Sequence, residues 1–386
     1  MNTDLVIIHS SSEFGGAEKQ LLYFLENCHV KTALILLSPE GCLFDEINNS
    51  RLVAVYTLRK SSWTQLPVIT YQAYRLITKL NPQTIYSYLP VPNLLCYFLG
   101  KITKAKRIAW GWRISSLAEQ ELTYKDRIVG LMMRFLSSKV DYLIANSRPG
   151  LDEAIRAGIN CKHNVVIQNG ILSSNINSET RLTIRKTYRD LLQVPQSHYL
   201  IGIVARLVPW KGHEIFLHAA RELRSKRNDI AFVCVGGGSD SFTNYLKNLT
   251  KTLDLTNSIT WLGPRSDIDQ ILCSLDIFTL TSTSGEGSSN AIGEAMSIGL
   301  PIVATNIGES SQQLSDSGLI IEPNDPHALY LAWNRLLENP AERKRISASS
   351  KSRVHELYSI KNMVHQTELL LVDGTKDQLC PDETKT

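Results

Sequence analysis

Short β-branched and apolar runs alternate with longer helical patterns along this chain, and they do so in two successive series. The first series comprises residues 5–10, 32–38, 52–58, 84–89, 107–112, 141–147 and 165–168, with helical stretches such as 18–26 and 66–80 between them. The second comprises 199–205, 230–236, 258–262, 276–281, 301–305 and 318–321, with helical patterns at 213–226, 241–253 and 290–298. Parallel strands need a crossover long enough to hold a helix, and their two buried faces give continuous rather than alternating apolar runs. The pattern therefore predicts two α/β domains, each a doubly wound parallel sheet. Polar turn residues interrupt the periodicity at 168–178, around Asn169-Gly170, and predict the linker. The expected organisation is an N-terminal domain over 1–172, a C-terminal domain over 173–357, a helix over 358–372 returning to the first domain, and a polar tail over 373–386.

Composition excludes several classes. A length of 386 residues allows two or three domains, and 43% hydrophobic with 20% charged residues is the balance of a protein with a sizeable core. Seven scattered cysteines without a Cys-x-x-Cys pair argue against a disulfide framework and a structural zinc site, which favours a reducing cytosol. There is no apolar run of membrane-spanning length, and the first strand-like run lacks the basic lead and length of a signal peptide, so a cytoplasmic location is expected. The net charge of +4 is uneven, with +6 over residues 1–172 and −2 over 173–386. An anionic external partner is expected to meet the first half. The excess is too modest, and the halves too different in sign, for a nucleic-acid binder.

Three segments could carry chemistry. Gly15-Gly16-Ala17-Glu18 is a glycine turn opening a helix after the first strand, a place where backbone amides and the helix dipole can approach an anion. On its own an ordinary strand-to-helix turn is the plainer reading. Arg206 and Lys211 flank the Pro209 turn after the second domain's first strand, and a planar fork with a point charge suits a diphosphate. Two solvated loop cations are the plainer reading. The densest segment runs from Ser284 to Pro301. Glu286 lies between glycines in a loop, Asn290 and Glu294 share one helix face, and the amides of Gly287, Ser288 and Ser289 form a helix start suited to an anion or hydroxyl group. Neither half has the Gly-x-Gly-x-x-Gly turn with a distal acidic residue that a nicotinamide dehydrogenase would need.

The spacing of Glu286 and Glu294, the following Ala295-Met296 … Gly299-Leu300-Pro301, the upstream Arg206 … Lys211-Gly212, the early Gly15-Gly16-Ala17-Glu18 and the Asn169-Gly170 linker together resemble the retaining glycosyltransferases of family 4. The likeness extends over about residues 5–370. It implies the GT-B fold, two Rossmann-like domains facing across a cleft, and transfer from a nucleotide-sugar, a UDP-sugar by preference, to a glycan or lipid-linked oligosaccharide in bacterial capsule, O-antigen or other surface polysaccharide synthesis. On that resemblance Arg206 and Lys211 hold the donor diphosphate and take the place of a metal, Glu286 contacts the transferred sugar, and Glu294 binds the ribose hydroxyls. The amides of Gly287, Ser288 and Ser289 orient the sugar, Asn290 belongs to the donor-binding set, Gly15 and Gly16 close over the phosphates or the acceptor, and Gly236-Gly237-Gly238 with Gly263 and Arg265 hold the nucleobase. No cofactor and no metal are implied. A relative that isomerises or hydrolyses a UDP-sugar, or a scaffold that only binds one, is the alternative.

One departure is visible. Where many relatives place a histidine after a strand of the first domain, this chain reads Trp110-Gly111-Trp112-Arg113. Arg113 could bond a sugar or phosphate and Trp112 could stack on a sugar ring, unless they are simply an aromatic core strand with an exposed arginine. A second feature is the segment 99–139, with nine basic and three acidic residues. Within it Ile128, Leu131, Met132, Phe135 and Leu136 recur at helical spacing beside Lys125, Arg127, Arg134 and Lys139. That stripe is either a face for peripheral contact with an anionic bilayer or the domain's own core face with a solvated basic edge.

Overall fold

A computed structural model of the chain describes residues 3–10, 15–37, 53–58, 65–113, 123–174 and 176–374. The tail beyond 374, Glu119 and Glu121 of the basic segment, and the ends of the runs at Ser38 and Leu52 lie outside them. The chain divides into two units, residues up to Gly170 with those from Ile360 onward, and Ile171–Ser359.

The first unit is a seven-stranded sheet of β1 (Leu5–His9), β2 (Thr32–Leu36), β3 (Val53–Thr57), β4 (Thr84–Tyr88), β5 (Arg107–Trp112), β6 (Tyr142–Ala145) and β7 (His163–Val166). Its order is β3-β2-β1-β4-β5-β6-β7. Every pairing is parallel, as in the registers Leu5↔Thr32 and Leu5↔Thr84. Alternate residues of β1 enter different cores. Val6 and Ile8 pack with Ile69, Leu99 and Trp110 on one face, while Leu5 and Ile7 pack with Phe24 and Tyr86 on the other. The second face also takes Met363, Val364, Leu370 and Leu371 from the C-terminal segment, whose helix Ile360–Glu368 packs on the helix Gly16–Asn27. Thr84 Oγ1 donates to the Leu371 carbonyl at 2.5 Å and Arg107 to that of Val372 at 2.8 Å, which ties this segment to the amino ends of β4 and β5.

The second unit is a six-stranded parallel sheet of β8 (Tyr199–Val204), β9 (Ile230–Val235), β10 (Ile259–Gly263), β11 (Ile277–Leu280), β12 (Ile302–Thr305) and β13 (Leu319–Ile321), in the order β10-β9-β8-β11-β12-β13. Its unit boundary falls at Gly170/Ile171, two residues before the expected one. The Ile171 amide donates to the Tyr358 carbonyl at 2.6 Å, and Ile171 pairs with Ser359 in an isolated bridge, so the second unit holds both of its own ends.

The helix Tyr124–Leu136 departs from the core-face reading. Of its described side chains only Met133 and Leu136 are buried. Ile128 and Met132 are over a third exposed, and Leu131, Phe135 and Tyr124 are 65%, 75% and 79% exposed. Trp112 departs in the other sense. It is 2% exposed and packed in the first unit's core, because a strand buried on both faces gives neither of two successive residues to solvent.

Trp333 anchors the second unit. Its ring lies 5.2 Å and 5.7 Å from those of Phe216 and Phe232, and its Nε1–H donates to Thr279 Oγ1 at 2.9 Å. Replacing it removes a large buried ring and leaves the Thr279 hydroxyl without this donor. Trp333→Ala should cost the second unit about 3–5 kcal/mol in urea unfolding.

Candidate functional site

In a doubly wound sheet, ligands bind outside the carboxyl ends of the strands at the point where strand order reverses. In the second unit that point lies between β8 and β11, which are adjacent in space and separated by more than seventy residues in sequence. Arg206 and Lys211 follow β8, and Glu286 follows β11. The fold thus brings the cationic turn and the glycine-flanked glutamate to one place. The Lys211 ammonium donates to Glu286 Oε1, and Ser282 Oγ donates to the same oxygen at 2.6 Å. Glu286 is buried and Lys211 nearly so.

Backbone contacts fix both partners. Thr281 Oγ1 donates to the Lys211 carbonyl at 3.0 Å, and the Thr283 amide to the Trp210 carbonyl at 2.8 Å. Gly212 has φ +65° and presents its missing side chain to the Thr281 carbonyl, where a Cβ would sit 2.0 Å from the oxygen. Gly308, at φ +62°, approaches the Glu286 carbonyl as closely, with a Cβ distance of 2.1 Å. Both positions require glycine for conformation and for space. Arg206 is exposed and its guanidinium lies 5.8 Å from the centroid of the Trp210 ring, so one fork remains at the mouth of the site.

The helix Asn290–Ile298 starts at Ser289, whose Oγ accepts from the Ile292 amide. Gln313, fully buried, clamps that start: its Oε1 accepts from the Ser289 amide at 3.2 Å and its Nε2 donates to the Ser289 carbonyl at 3.0 Å. The Ser289 amide is therefore occupied and does not face a ligand in this arrangement. The Gly287 carbonyl accepts from the Glu309 amide at 3.3 Å. Glu294 is half-buried on the same helix as Asn290. The glycine loop after β9 docks on the turn after β8 through a Leu207↔Gly238 bridge, and the Gly236 amide donates to the Gly263 carbonyl at 2.9 Å. Arg265, beside Gly263, pairs with Asp267 at 2.5 Å and 2.7 Å, and Tyr188 donates to that same carboxylate at 2.6 Å. The Arg265 and Tyr188 hydrogen bonds hold the Asp267 carboxyl well below the usual range.

The first unit gathers a second set at the carboxyl ends of β1, β4 and β5, with its own reversal of strand order between β1 and β4. Gly15 caps the helix Gly16–Asn27, and its amide donates to Glu18 Oε2 at 3.1 Å. His9, at the end of β1 and fully buried, donates from Nε2 to Glu18 Oε1 at 3.0 Å. The Gly15 amide is thus satisfied by a carboxylate of its own helix. Arg113 follows β5, where its fork donates to Asn169 Oδ1 at 3.3 Å and to the Tyr86 hydroxyl at 3.4 Å. Trp112 contributes nothing to this set, since its indole is inside the core.

Sequence reasoning missed Ser282, Gly308, Gln313, His9 and His213. Of these, His213 gave no pattern at all. It opens the helix His213–Lys226 beside Gly212, is 1% exposed, and both ring nitrogens are buried without a partner among the described residues. Burial, and then the charge of Lys211, push its pKa down to about 4, so it is neutral near pH 7 and is poorly placed to serve as a base. An unfolded histidine titrates near about 6.5, so protons bind the unfolded chain more tightly and stability falls as pH drops from there toward 4. Thermal unfolding of a His213→Leu variant should depend less steeply on pH across that window than the wild type.

Comparison with known proteins gives the following. The family model described as "Glycosyl transferases group 1" matches residues 198–339, the stretch that holds Arg206, Lys211, Glu286, Glu294 and Gln313. An uncharacterised glycosyltransferase of Haemophilus influenzae is 30% identical over 172 residues, 44% of this chain and 47% of the relative. A UDP-Gal:α-D-GlcNAc-diphosphoundecaprenol α-1,3-galactosyltransferase of Escherichia coli is 29% identical over 188 residues, 47% of this chain and 48% of that one. The chain spans about half the length of the curated relatives it matches. Among solved structures, HepE of Anabaena in complex with UDP superposes with a TM-score of 0.83 at 21% identity, covering 96% of this chain and 100% of that one. This likeness shows the fold, which is GT-B: two parallel-sheet units of Rossmann type with flanking helices.

Proposed function

We propose that the chain is a retaining glycosyltransferase of family 4 that moves a sugar from a UDP-sugar to a glycan or lipid-linked oligosaccharide during surface polysaccharide synthesis. The observation that carries this reading is the Glu286–Lys211 pair, with Ser282, at the strand-order reversal of the unit that matches the glycosyl transferase family model. Solved complexes of HepE with UDP and UDP-glucose, and the galactosyltransferase relative, support a UDP-linked donor.

On this reading Arg206 and Lys211 bind the diphosphate and stabilise the charge that grows on the departing UDP, the task a divalent metal performs elsewhere. Glu286 orients the transferred sugar, Glu294 takes the ribose hydroxyls, and Asn290 with the Gly287 and Ser288 amides completes the donor contacts, while Gly263 and Arg265 lie on the nucleobase side. The bond from the sugar's anomeric carbon to the β-phosphate oxygen breaks as the bond to the acceptor oxygen forms on the same face. The acceptor's proton passes to the departing phosphate, which needs no protein base. The first unit is assigned the acceptor. Glu286→Gln and Lys211→Ala should each lower kcat by about 10²–10³-fold with the fold intact, and EDTA should leave activity nearly unchanged. Wild-type turnover in either variant, or a strict metal requirement, would sink the assignment.

We also propose that the enzyme works on the cytoplasmic face of an anionic membrane. No helix among the described residues is long and apolar enough to cross a bilayer. The helix Tyr124–Leu136 presents Tyr124, Leu131 and Phe135 outward beside Lys125, Arg127 and Arg134, and Lys139 lies 5.1 Å over the Phe135 ring. Basic side chains at the phosphates with aromatic and aliphatic ones below is the arrangement of an interfacial helix. Flotation with vesicles containing phosphatidylglycerol should carry the wild type upward and leave Leu131→Glu/Phe135→Glu at the bottom, and equal flotation of both removes the idea.

A further inference from the structure

Arg113 is a half-buried cation to which no described residue gives an anion. Its two Nη groups donate to neutral oxygens, Asn169 Oδ1 and the Tyr86 hydroxyl, and its guanidinium lies 4.9 Å from the centroid of the Tyr88 ring. The Nε–H is buried and meets no acceptor among the described residues. No carboxylate among them pairs with it, and the titratable groups that act on it are the two neutral tyrosines, Tyr86 and Tyr88. The protein treats its structural arginine differently. Arg189, fully buried in the second unit, has Asp276 at 2.5 Å and the carbonyls of Ser274 and His198 at 3.0 Å and 2.6 Å, so every edge of its fork is answered.

A desolvated guanidinium without a counter-ion is costly, and removing it for packing reasons alone would be favourable. Its retention at the carboxyl ends of β4 and β5, beside the first unit's reversal of strand order, is what a ligand site requires. The surroundings are held in advance. Gln20 locks the segment carrying Asn169 by accepting from the Gly170 amide at 2.8 Å and donating to its carbonyl at 2.9 Å. Burial pushes the Tyr86 pKa up, so its hydroxyl stays neutral and does not compete with an incoming anion.

We propose that Arg113, with Asn169, Tyr86 and Tyr88 around it, is a subsite for an anionic group, a phosphate or a carboxylate, on the acceptor. The buried Nε–H, unanswered among the described residues, and the adjacent Nη make the fork that such oxygens accept from. This deepens the transferase reading and rests on it, because that reading gives the donor diphosphate to Arg206 and Lys211 in the other unit.

The test uses the full chain at constant ionic strength. UDP binding is measured first by calorimetry, since its absence would count against the donor reading and leave the Arg113 question open to the remaining arms. With UDP saturating, and again without it, the protein is titrated with pyrophosphate, with D-glucuronate and with neutral D-glucose. The wild type should bind at least one of the two anions and discriminate against glucose, and Arg113→Gln should weaken that binding by about tenfold or more. The anion that binds identifies the phosphate or the carboxylate. Arg113→Lys, which keeps the charge and loses the fork, should fall between them and serves if the glutamine variant does not fold. In the absence of ligand, Arg113→Met should melt no lower than wild type, whereas a structural arginine would lower the midpoint. Equal anion binding in wild type and Arg113→Gln, or no saturable anion binding by the wild type, overturns the proposal.

Discussion

Lys211 and Glu286 hold each other at the ends of two neighbouring parallel strands, and much of the second unit is arranged to keep them there. A buried ion pair repays its desolvation only if geometry is good and the remaining lone pairs are satisfied. Ser282 satisfies one, and the Thr281–Lys211 and Thr283–Trp210 bonds stitch the two strand-end loops together on either side. Gly212 and Gly308 let the backbone close to van der Waals limits around both partners. The pair is a pre-set charge balance: any anion approaching Lys211 competes with a carboxylate already in place, and any hydroxyl approaching Glu286 finds an oriented acceptor.

The two units solve the same placement problem with opposite electrostatics. In the second, Lys211 and Glu286 neutralise each other before any ligand arrives, while Arg206 stays exposed over the Trp210 ring. In the first, the Glu18 carboxylate accepts from His9 Nε2 and from the Gly15 amide, while Arg113 has neutral oxygens and an aromatic face as its described neighbours. The pair at the second site is balanced within itself, whereas the Arg113 guanidinium is paired with no described carboxylate.

The sheets were legible because parallel strands buried on both faces leave continuous apolar runs, so each described strand falls on a run the sequence displays. β7 begins two residues before the expected start, at His163, because it is an edge strand whose half-buried residues give a weaker apolar signal. Lys211, Glu286 and Glu294 were legible through spacing near glycines. Ser282, Gln313 and Gly308 were not, because each acts through one backbone or carboxylate contact and no periodicity marks such a role. Trp112 misled for the reason that made its strand easy to find: in a doubly covered sheet an aromatic at the strand's end is core. The helix Tyr124–Leu136 carries the same amphipathic stripe whether it faces a core or a bilayer, and only burial separates the two.

The excursion of residues 360–374 into the first unit has a consequence for how the protein is made. The second unit is an unbroken stretch, Ile171–Ser359, and holds its own two ends together through Ile171 and Tyr358. The first unit is interrupted by it and lacks Met363, Val364, Leu370 and Leu371 on one face of its sheet until synthesis has passed them. On the ribosome the unit begun first is therefore the one completed last. Its half-covered sheet has to be kept from other chains while the inserted unit folds, which makes the order of folding the reverse of the order of translation.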